Sequence, residues 1–247
     1  MPSPRTVGLP DGVRACLFDL DGVLTRTATV HMAAWKRTLD EFLRSLDPAA
    51  PEFTQDDYNR YVDGKPRADG VRDFLAARGI ELPEGSPGDA PDAATVQGVA
   101  TRKNELVLRE LDEHGVEVYE GSVRYLRAVR DAGLATAVVT ASANGGQVVA
   151  AGGFAELVDI RVDGVVAARD GLRGKPAPDT FLAGARALGV EPGEAAVFED
   201  ALAGVAAGRA GGFAFVVGVD RVGQAEGLRE SGADVVVTDL DQLLGHS

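Results

Sequence analysis

Apolar runs that alternate with amphipathic stretches predict an α/β protein. Five runs have the composition of buried strands: residues 13–18, 134–140, 195–199, 213–217 and 235–237. The stretches 122–132, 179–188 and 201–210 between them have helical character. Because the strands are apolar almost throughout rather than at alternate positions, we expect a Rossmann-like, doubly wound parallel sheet with helices on both faces. The segment 158–166, which contains Asp163-Gly164, fits either a short strand or a hairpin.

The segment 27–115 has a different pattern, with no convincing strand. Trp35, Leu39, Phe42 and Leu46 share one helical face, a Pro/Gly/Asp-rich loop covers 82–92, and a second helix is predicted over 93–111. The sequence therefore predicts an α/β core domain of residues 1–26 and 116–247. An α-helical cap domain, residues 27–115, is inserted after strand 1.

Charge and composition narrow the classes of partner. The 247 residues are 45% hydrophobic and 26% charged, with a net charge of −13. This acidity argues against nucleic acid or an anionic membrane as the main partner, and no apolar run reaches the length of a membrane helix. The single cysteine, Cys16, lies in the first strand, which predicts a buried thiol and excludes an internal disulfide. We therefore expect the protein to lie in the reducing cytoplasm. A monomer that acts on a small molecule is a separate expectation.

Polar side chains follow the predicted strands at their carboxyl ends, where open α/β sheets bind ligands. Asp19 and Asp21 follow the first strand, Thr140, Ala141, Ser142 and Asn144 the second, and Glu199-Asp200 the third. Lys175 lies in a proline-rich turn before a helix, and its bond to Pro176 is a candidate for the cis form. Several distant segments thus bring carboxylates, hydroxyls and one lysine to the same edge.

The pair Asp19 and Asp21 is poorly explained by packing, because two carboxylates so close repel each other unless a cation or a shared proton intervenes. Hard divalent cations prefer oxygen ligands, so we expect Mg²⁺ at this position. Each of the other polar residues at this edge also has a purely structural interpretation. Glu199 and Asp200 could cap a helix, Thr140 could be a satisfied strand-end hydroxyl, Ser142 and Asn144 could form a turn, and Lys175 could lie on the surface.

The chain resembles the haloacid dehalogenase superfamily of phosphotransferases over about residues 15–244. Four motifs match in chain order: Asp19-x-Asp21, Thr140, Lys175 and Glu199-Asp200. Within this superfamily, the chain looks most like the β-phosphoglucomutase group. The residues that carry this closer likeness are Phe18–Thr25, His31, Trp35-Lys36, Gly64, Arg67, Arg102-Lys103-Asn104, Lys175–Asp179 and Glu199–Ala201.

The resemblance implies roles for the core residues. Asp19 would be the nucleophile that becomes an aspartyl phosphate, and Asp21 the general acid/base. Lys175 and Thr140, with the Ala141 N–H, would contact the transferring phosphate, and Ser142 and Asn144 the far end of the substrate. The Mg²⁺ ligands would be Asp19, the Asp21 carbonyl, Glu199 and Asp200.

The resemblance also implies substrate contacts in the cap, from Arg67, His31, Trp35, Gly64 and Lys103. A solvated arginine and a cap core that contains His31 and Trp35 are the competing interpretations. The chain departs from the group's pattern at Arg26, which is usually acidic, and at Asp63 and Ala143, which are usually lysine. Arg26 or Lys65 could supply the lost positive charge.

The function implied is a Mg²⁺-dependent mutase that interconverts a β-hexose 1-phosphate and 6-phosphate through a bisphosphate. A phosphatase acting on sugar phosphates uses the same first step and is the main alternative. A non-catalytic phospho-acceptor is disfavoured by the insertion and by Asp21. A dinucleotide-binding enzyme is disfavoured because no G-x-G-x-x-G follows the first strand.

Overall fold

The computed structural model describes residues 4–245. The chain divides between Arg26 and Thr27, and again between Gly115 and Val116, into two compact units. These boundaries coincide with those predicted for the core and the inserted domain. The unit formed by the two outer segments contains the sheet, and the inserted unit is helical.

The predicted parallel α/β sheet is present and has six strands in the order β3-β2-β1-β4-β5-β6. Every neighbouring pair is parallel, and β1 lies between β2 and β4, with Leu17 opposite both Ala137 and Val197. The carboxyl ends of β1, β2 and β4 therefore lie side by side. The strands are β1 (Ala15–Phe18), β2 (Ala135–Val139), β3 (Ile160–Val162), β4 (Ala195–Glu199), β5 (Phe215–Val219) and β6 (Val235–Val237).

Four α-helices belong to the inserted unit and six to the sheet unit of the described chain. They are α1 (Thr27–Leu46), α2 (Gln55–Asp57), α3 (Arg67–Ala77), α4 (Val96–His114), α5 (Glu120–Asp131), α6 (Gly145–Ala151), α7 (Gly164–Asp170), α8 (Asp179–Leu188), α9 (Leu202–Ala210) and α10 (Ala225–Glu230). A π-helical turn, Tyr58–Val62, follows α2. None of the helices within 4–245 combines the length and apolar character needed to cross a bilayer.

The ambiguous segment around Asp163 is a strand followed by a helix, not a hairpin. The Asp163 carboxylate accepts hydrogen bonds from the Val165 and Val166 N–H groups, both at 3.0 Å. An aspartate that caps two N–H groups starts a helix, so α7 begins directly after β3. The strand predicted over 213–217 is shifted by two residues, since β5 is Phe215–Val219. Ala214 lies in a bend directly before it, and its N–H donates to the Pro192 and Ala195 carbonyls.

Aromatic packing in the sheet unit fixes the strand ends that carry the acidic residues. Phe18 and Phe198 stack with ring centroids 4.4 Å apart, and Tyr125 contacts both rings. Asp19 and Glu199 each follow one of these phenylalanines directly. The predicted burial of Cys16 is confirmed, and burial raises the pKa of its thiol.

The inserted unit has its own apolar core, which Trp35, Leu39 and Leu43 of α1 share with buried residues of α3 and α4; α4 packs against both α1 and α3. Trp35 and Leu39 of the predicted helical stripe belong to this core and Phe42 packs against it. Leu46, the last residue of α1, is 56% exposed, because no other element covers the end of this stripe.

Candidate active site

Three strand ends and one loop bring the predicted core residues together. Asp19 continues the pairing of β1 with β4, because its N–H donates to the Phe198 carbonyl at 2.9 Å. Thr140 follows β2, Glu199 is the last residue of β4 and Asp200 comes next. Lys175 approaches from the loop before α8, and its bond to Pro176 is cis.

Lys175 lies between two carboxylates. Its Nζ donates to Asp19 Oδ1 and to Glu199 Oε1, both at 2.5 Å, and to the Val139 carbonyl at 3.3 Å. The lysine is 3% exposed and Glu199 is fully buried, so the interpretation of Lys175 as a surface residue is wrong. The second Glu199 oxygen accepts the Ala201 N–H at 2.8 Å. Both Glu199 oxygens thus accept hydrogen bonds, one of which holds the Lys175 ammonium in place.

Burial and neighbouring charges shift the pKa values of Asp19 and Lys175. Burial raises the pKa of Asp19 well above its ordinary value, and the neighbouring Glu199 and Asp21 charges add to the rise, while Lys175 opposes it. Burial alone would lower the pKa of Lys175, but Asp19 and Glu199 outweigh it and leave that pKa raised. A bound cation beside Asp19 would favour the ionised carboxylate, which is the form able to act as a nucleophile.

Asp21 contacts the end of the neighbouring strand. Thr140 Oγ1 donates to Asp21 Oδ2 at 3.1 Å and accepts the Ser142 N–H at 3.0 Å. The Asn144 N–H donates to Ser142 Oγ at 3.2 Å. The turn after β2, which includes Ala141, is therefore organised by its own hydroxyl groups and lies next to the second carboxylate.

Three buried carboxylates are close enough to share an ion. Asp19, Glu199 and Asp200 each offer an oxygen, and these oxygens lie within 4.8 Å of one another. With Asp21 they carry four negative charges when ionised, against the one positive charge of Lys175. An all-oxygen, strongly negative donor set of this kind fits a hard divalent cation.

Two glycines make room for these carboxylates. A Cβ at Gly22, whose φ is +94°, would lie 1.7 Å from Asp200 Oδ2, and a Cβ at Gly204 would lie 1.7 Å from Glu199 Oε1. Any larger residue at position 22 would displace the Asp200 side chain. The glycine after Asp21 is therefore required for the acidic site and not only for the turn.

The predicted cap residues lie in the inserted unit, and three of them are grouped. Lys103 is 2% exposed, its Nζ lies 2.6 Å from His31 Nδ1, and it lies 5.1 Å from the centroid of the Trp35 ring. Because an ammonium can only donate, Nδ1 is the acceptor and the ring proton is on Nε2. Gly64 (φ +69°) precedes α3, and Arg67 begins that helix, where burial lowers its pKa.

The loop after β5 also reaches the site and was not predicted from the sequence. Residues 220–224 follow a strand at the same edge of the sheet and contact the backbone at both Gly22 and Asp200. The rule that found the other segments, polar residues at a strand's carboxyl end, also applies to Asp220-Arg221. The fifth strand was predicted to end at residue 217 instead of Val219, so Asp220 was not recognised as the residue that follows it.

The family model for haloacid dehalogenase-like hydrolases matches residues 13–212. This range includes the predicted core site residues from Asp19 to Asp200 but not the loop 220–224. The chain belongs to this family. Haloacid dehalogenase-like relatives include a β-phosphoglucomutase from Mycobacterium tuberculosis (strain CDC 1551 / Oshkosh), 54% identical over 97% of this chain and 95% of that protein. Hexitol phosphatase A from Escherichia coli (strain K12) is 28% identical over 92% and 91% of the two chains.

A solved haloacid dehalogenase-like structure has the same fold. The crystal structure of β-phosphoglucomutase from Clostridium difficile aligns with a TM-score of 0.76 and 25% identity, and covers 94% of this chain and 93% of that one. The predicted superfamily and fold are therefore confirmed. The roles of individual residues stay predictions.

Proposed function

We propose that the protein is a β-phosphoglucomutase-type phosphotransferase that interconverts a β-hexose 1-phosphate and 6-phosphate. The observation that carries this proposal is the buried Asp19–Lys175–Glu199 group beside Asp21, in a chain 54% identical to a curated β-phosphoglucomutase. The sugar-phosphate substrate, the monomeric state and the cytoplasmic location are parts of the proposal.

The proposed reaction moves one phosphoryl group twice. A carboxylate oxygen of Asp19 attacks phosphorus of a bound bisphosphate, the sugar O–P bond breaks, and the leaving oxygen takes a proton from Asp21. The hexose 6-phosphate formed is then replaced by a hexose 1-phosphate, whose 6-hydroxyl gives its proton to Asp21 and attacks the aspartyl phosphate. This restores Asp19 and regenerates the bisphosphate. Lys175 and the Thr140 hydroxyl would stabilise the phosphoryl oxygens. The single proton of the Thr140 hydroxyl is donated to Asp21 in this structure, so we expect this hydroxyl to turn from Asp21 to the phosphoryl group when the substrate binds.

Mg²⁺ is the proposed cofactor. Asp19 and Asp200, with the Asp21 carbonyl, would hold it, and Glu199 would complete the site chiefly through Lys175, since both its oxygens already accept hydrogen bonds. The room that Gly22 leaves for the Asp200 carboxylate supports this assignment. When bound, Mg²⁺ would neutralise charge on the phosphoryl oxygens.

Adding Mg²⁺ should raise the temperature of unfolding. An ion at about 100 times its Kd stabilises the native state by ~2.7 kcal/mol, which corresponds to about 5 °C or more for a chain of this size. Differential scanning calorimetry with MgCl₂, reversed by EDTA, measures the shift. Asp200→Asn should lose most of it, whereas Asp131→Asn, at an exposed position on α5, should retain it. If Mg²⁺ raised the unfolding temperature of the two variants equally, Asp200 would not be a ligand of the ion.

Gly22→Ala should impair the site far more than Gly12→Ala. Both glycines have positive φ, +94° and +90°, but a Cβ at position 12 meets nothing within 4 Å. Both variants bear a backbone strain of about 1–3 kcal/mol, and only Gly22→Ala displaces Asp200. We expect turnover to fall about 100-fold relative to Gly12→Ala, with unfolding in urea as the measure of strain. Matched turnover in the two variants would refute the close fit at Gly22.

The cap residues would bind the non-reacting end of the substrate. Arg67 would take the second phosphate, because a guanidinium binds phosphate through two donors, and His31, Trp35, Gly64 and Lys103 would face the sugar. The burial of Trp35 and Lys103, and the contacts of Lys103 with His31 and Trp35, are equally those of a structural group. Arg26 forms an ion pair with Glu117 at 3.9 Å and Lys65 with Asp73 at 2.6 Å, so both candidates for compensating charge already have acidic partners.

The second candidate function is a sugar-phosphate phosphatase, in which water accepts the phosphoryl group. Asp63 and Ala143, where the mutase group has lysines, favour it, and so does the likeness to hexitol phosphatase A. Both functions share the chemistry at Asp19 and differ in the acceptor.

Incubation with β-glucose 1-phosphate, a trace of the 1,6-bisphosphate and Mg²⁺ distinguishes the two. The mutase produces glucose 6-phosphate in amounts far above the added bisphosphate, whereas a phosphatase releases inorganic phosphate. Replacing glucose by other hexose 1-phosphates in the same assay tests the sugar. Inorganic phosphate as the sole product would reject the mutase.

A further inference from the structure

The loop 220–224 after β5 is a rigid element of the sheet unit. Asp220 Oδ1 accepts the N–H groups of Val222, Gly223 and Gln224 at 3.2, 2.7 and 2.9 Å. The Asp220 N–H donates to the Val237 carbonyl at 2.8 Å, which anchors the loop to β6. One carboxylate thus fixes three consecutive amides, and the side chains of this loop project from a defined backbone.

Arg221 joins this loop to the segment that carries the predicted nucleophile. Its Nε donates to the Gly22 carbonyl at 2.9 Å and its Nη2 to the Val23 carbonyl at 3.3 Å. These carbonyls belong to the two residues after Asp21. The side chain is only 11% exposed.

The remaining donors of Arg221 are used by the surrounding protein. Nη1 donates to the Thr238 carbonyl at 2.5 Å and to Asp239 Oδ2 at 3.2 Å, and Nη2 donates to Ser122 Oγ at 3.0 Å. The guanidinium lies 3.5 Å from the centroid of the Tyr119 ring. With five hydrogen bonds and a stacked face, the group acts on the protein itself and not on a ligand.

Gln224 connects the same loop to the other side of the acidic site. Its Nε2 donates to the Asp200 carbonyl at 2.9 Å. Gly22 and Asp200 in turn lie against each other, because a Cβ on Gly22 would overlap the Asp200 carboxylate. Five consecutive residues therefore hold the backbone at Gly22 and the backbone at Asp200, from which Asp21 and Asp200 enter the site.

We propose that Arg221 and Gln224 are positioning residues, which set the separation between the Asp19–Asp21 segment and Asp200 and thereby the affinity of the site for its divalent cation. The inference rests on the proposed function. A hydrogen bond to a ligand-bearing segment typically changes metal affinity by about 10- to 100-fold. The hydrogen bonds described for both side chains go to atoms of the protein itself, so we expect sugar-phosphate binding to depend on them little.

The test compares Gln224→Met and Arg221→Met with two matched controls. Gln242→Met removes a glutamine that bonds Thr238, and Arg209→Met removes an arginine that bonds the Gly232 carbonyl and Asp234, both in the same unit. For each protein, the Mg²⁺ concentration at half-maximal thermal stabilisation is measured without substrate, together with kcat, KM and the unfolding temperature in EDTA.

We expect the Mg²⁺ midpoint of Gln224→Met to rise about tenfold, with KM for the sugar phosphate within about twofold of the parent. The two controls should lower the unfolding temperature without moving the midpoint. If Arg221→Met does not fold, Gln224→Met decides the result. A folded Gln224→Met whose Mg²⁺ midpoint matches that of Gln242→Met overturns the inference, whereas a parent that Mg²⁺ does not stabilise would instead reject the proposed function.

Discussion

Asp19→Asn should abolish turnover and leave the fold at least as stable as the parent. The amide lacks the negative charge needed to attack phosphorus, and loss of a nucleophile typically costs at least about 10⁴-fold in rate. Stability should not fall, because burial and like charges raise the pKa of Asp19 and make its ionised form unfavourable in the folded state. Glucose 6-phosphate formation and thermal unfolding, measured on the same sample, report the two effects.

Asp131→Asn, the same substitution at an exposed position on α5, is the matched control and should retain full activity. The assay must exclude traces of parent enzyme, since deamidation restores aspartate. A pure Asp19→Asn protein with more than a few per cent of parental turnover would show that another group accepts the phosphoryl group.

Lys175→Met should destabilise the protein strongly as well as inactivate it. Removing the ammonium leaves Asp19 and Glu199 buried without their positive partner, and breaking a buried ion pair from one side costs about 3–5 kcal/mol. Urea unfolding measures the loss. Arg209→Met, which removes an arginine from a half-exposed ion pair with Asp234, should cost much less, about 1 kcal/mol.

A second substitution isolates the cause of this loss. Glu199→Gln removes one of the two stranded charges, so the double variant Lys175→Met/Glu199→Gln should recover a large part of the stability and give a coupling energy above about 1 kcal/mol. Additive losses would show that the lysine stabilises through its aliphatic packing instead.

The stability of Lys175→Met should also depend on pH. Asp19 has a raised pKa in the folded parent, and loss of the opposing lysine raises it further. An acid whose folded pKa exceeds its unfolded value contributes stability that is complete below about pH 4 and is lost as pH rises through the folded value. Lowering the pH from 8 towards 5 should therefore narrow the gap between variant and parent.

The core of the site could be predicted from sequence because each residue is adjacent to a strand end. Asp19, Thr140 and Glu199-Asp200 follow apolar runs, and parallel strands bring their carboxyl ends to one edge. The environment of Lys175 could not be predicted, since its burial depends on Asp19, 156 positions away. The local sequence around Lys175 carries no information about a contact at this separation along the chain.

Three other features needed the structure for physical reasons. Leu46 fits the helical stripe but lies at the end of α1, where no partner covers it. Asp163-Gly164 is typical of a turn in the sequence, and only the structure shows that the Asp163 carboxylate caps α7. Arg221 contacts Gly22 across 199 positions, and nothing local distinguishes it from a surface arginine.

The central place of β1 in the sheet has a consequence for biosynthesis. Of the six strands, β1 is synthesised before the other five, yet its two neighbours begin at Ala135 and Ala195. Helices pack through nearby contacts and form early, whereas pairing across more than a hundred residues is slow. We therefore expect the inserted helices to be complete while Asp19 and Asp200 remain hydrated and apart, so that the acidic site is among the last parts of the polypeptide to assemble.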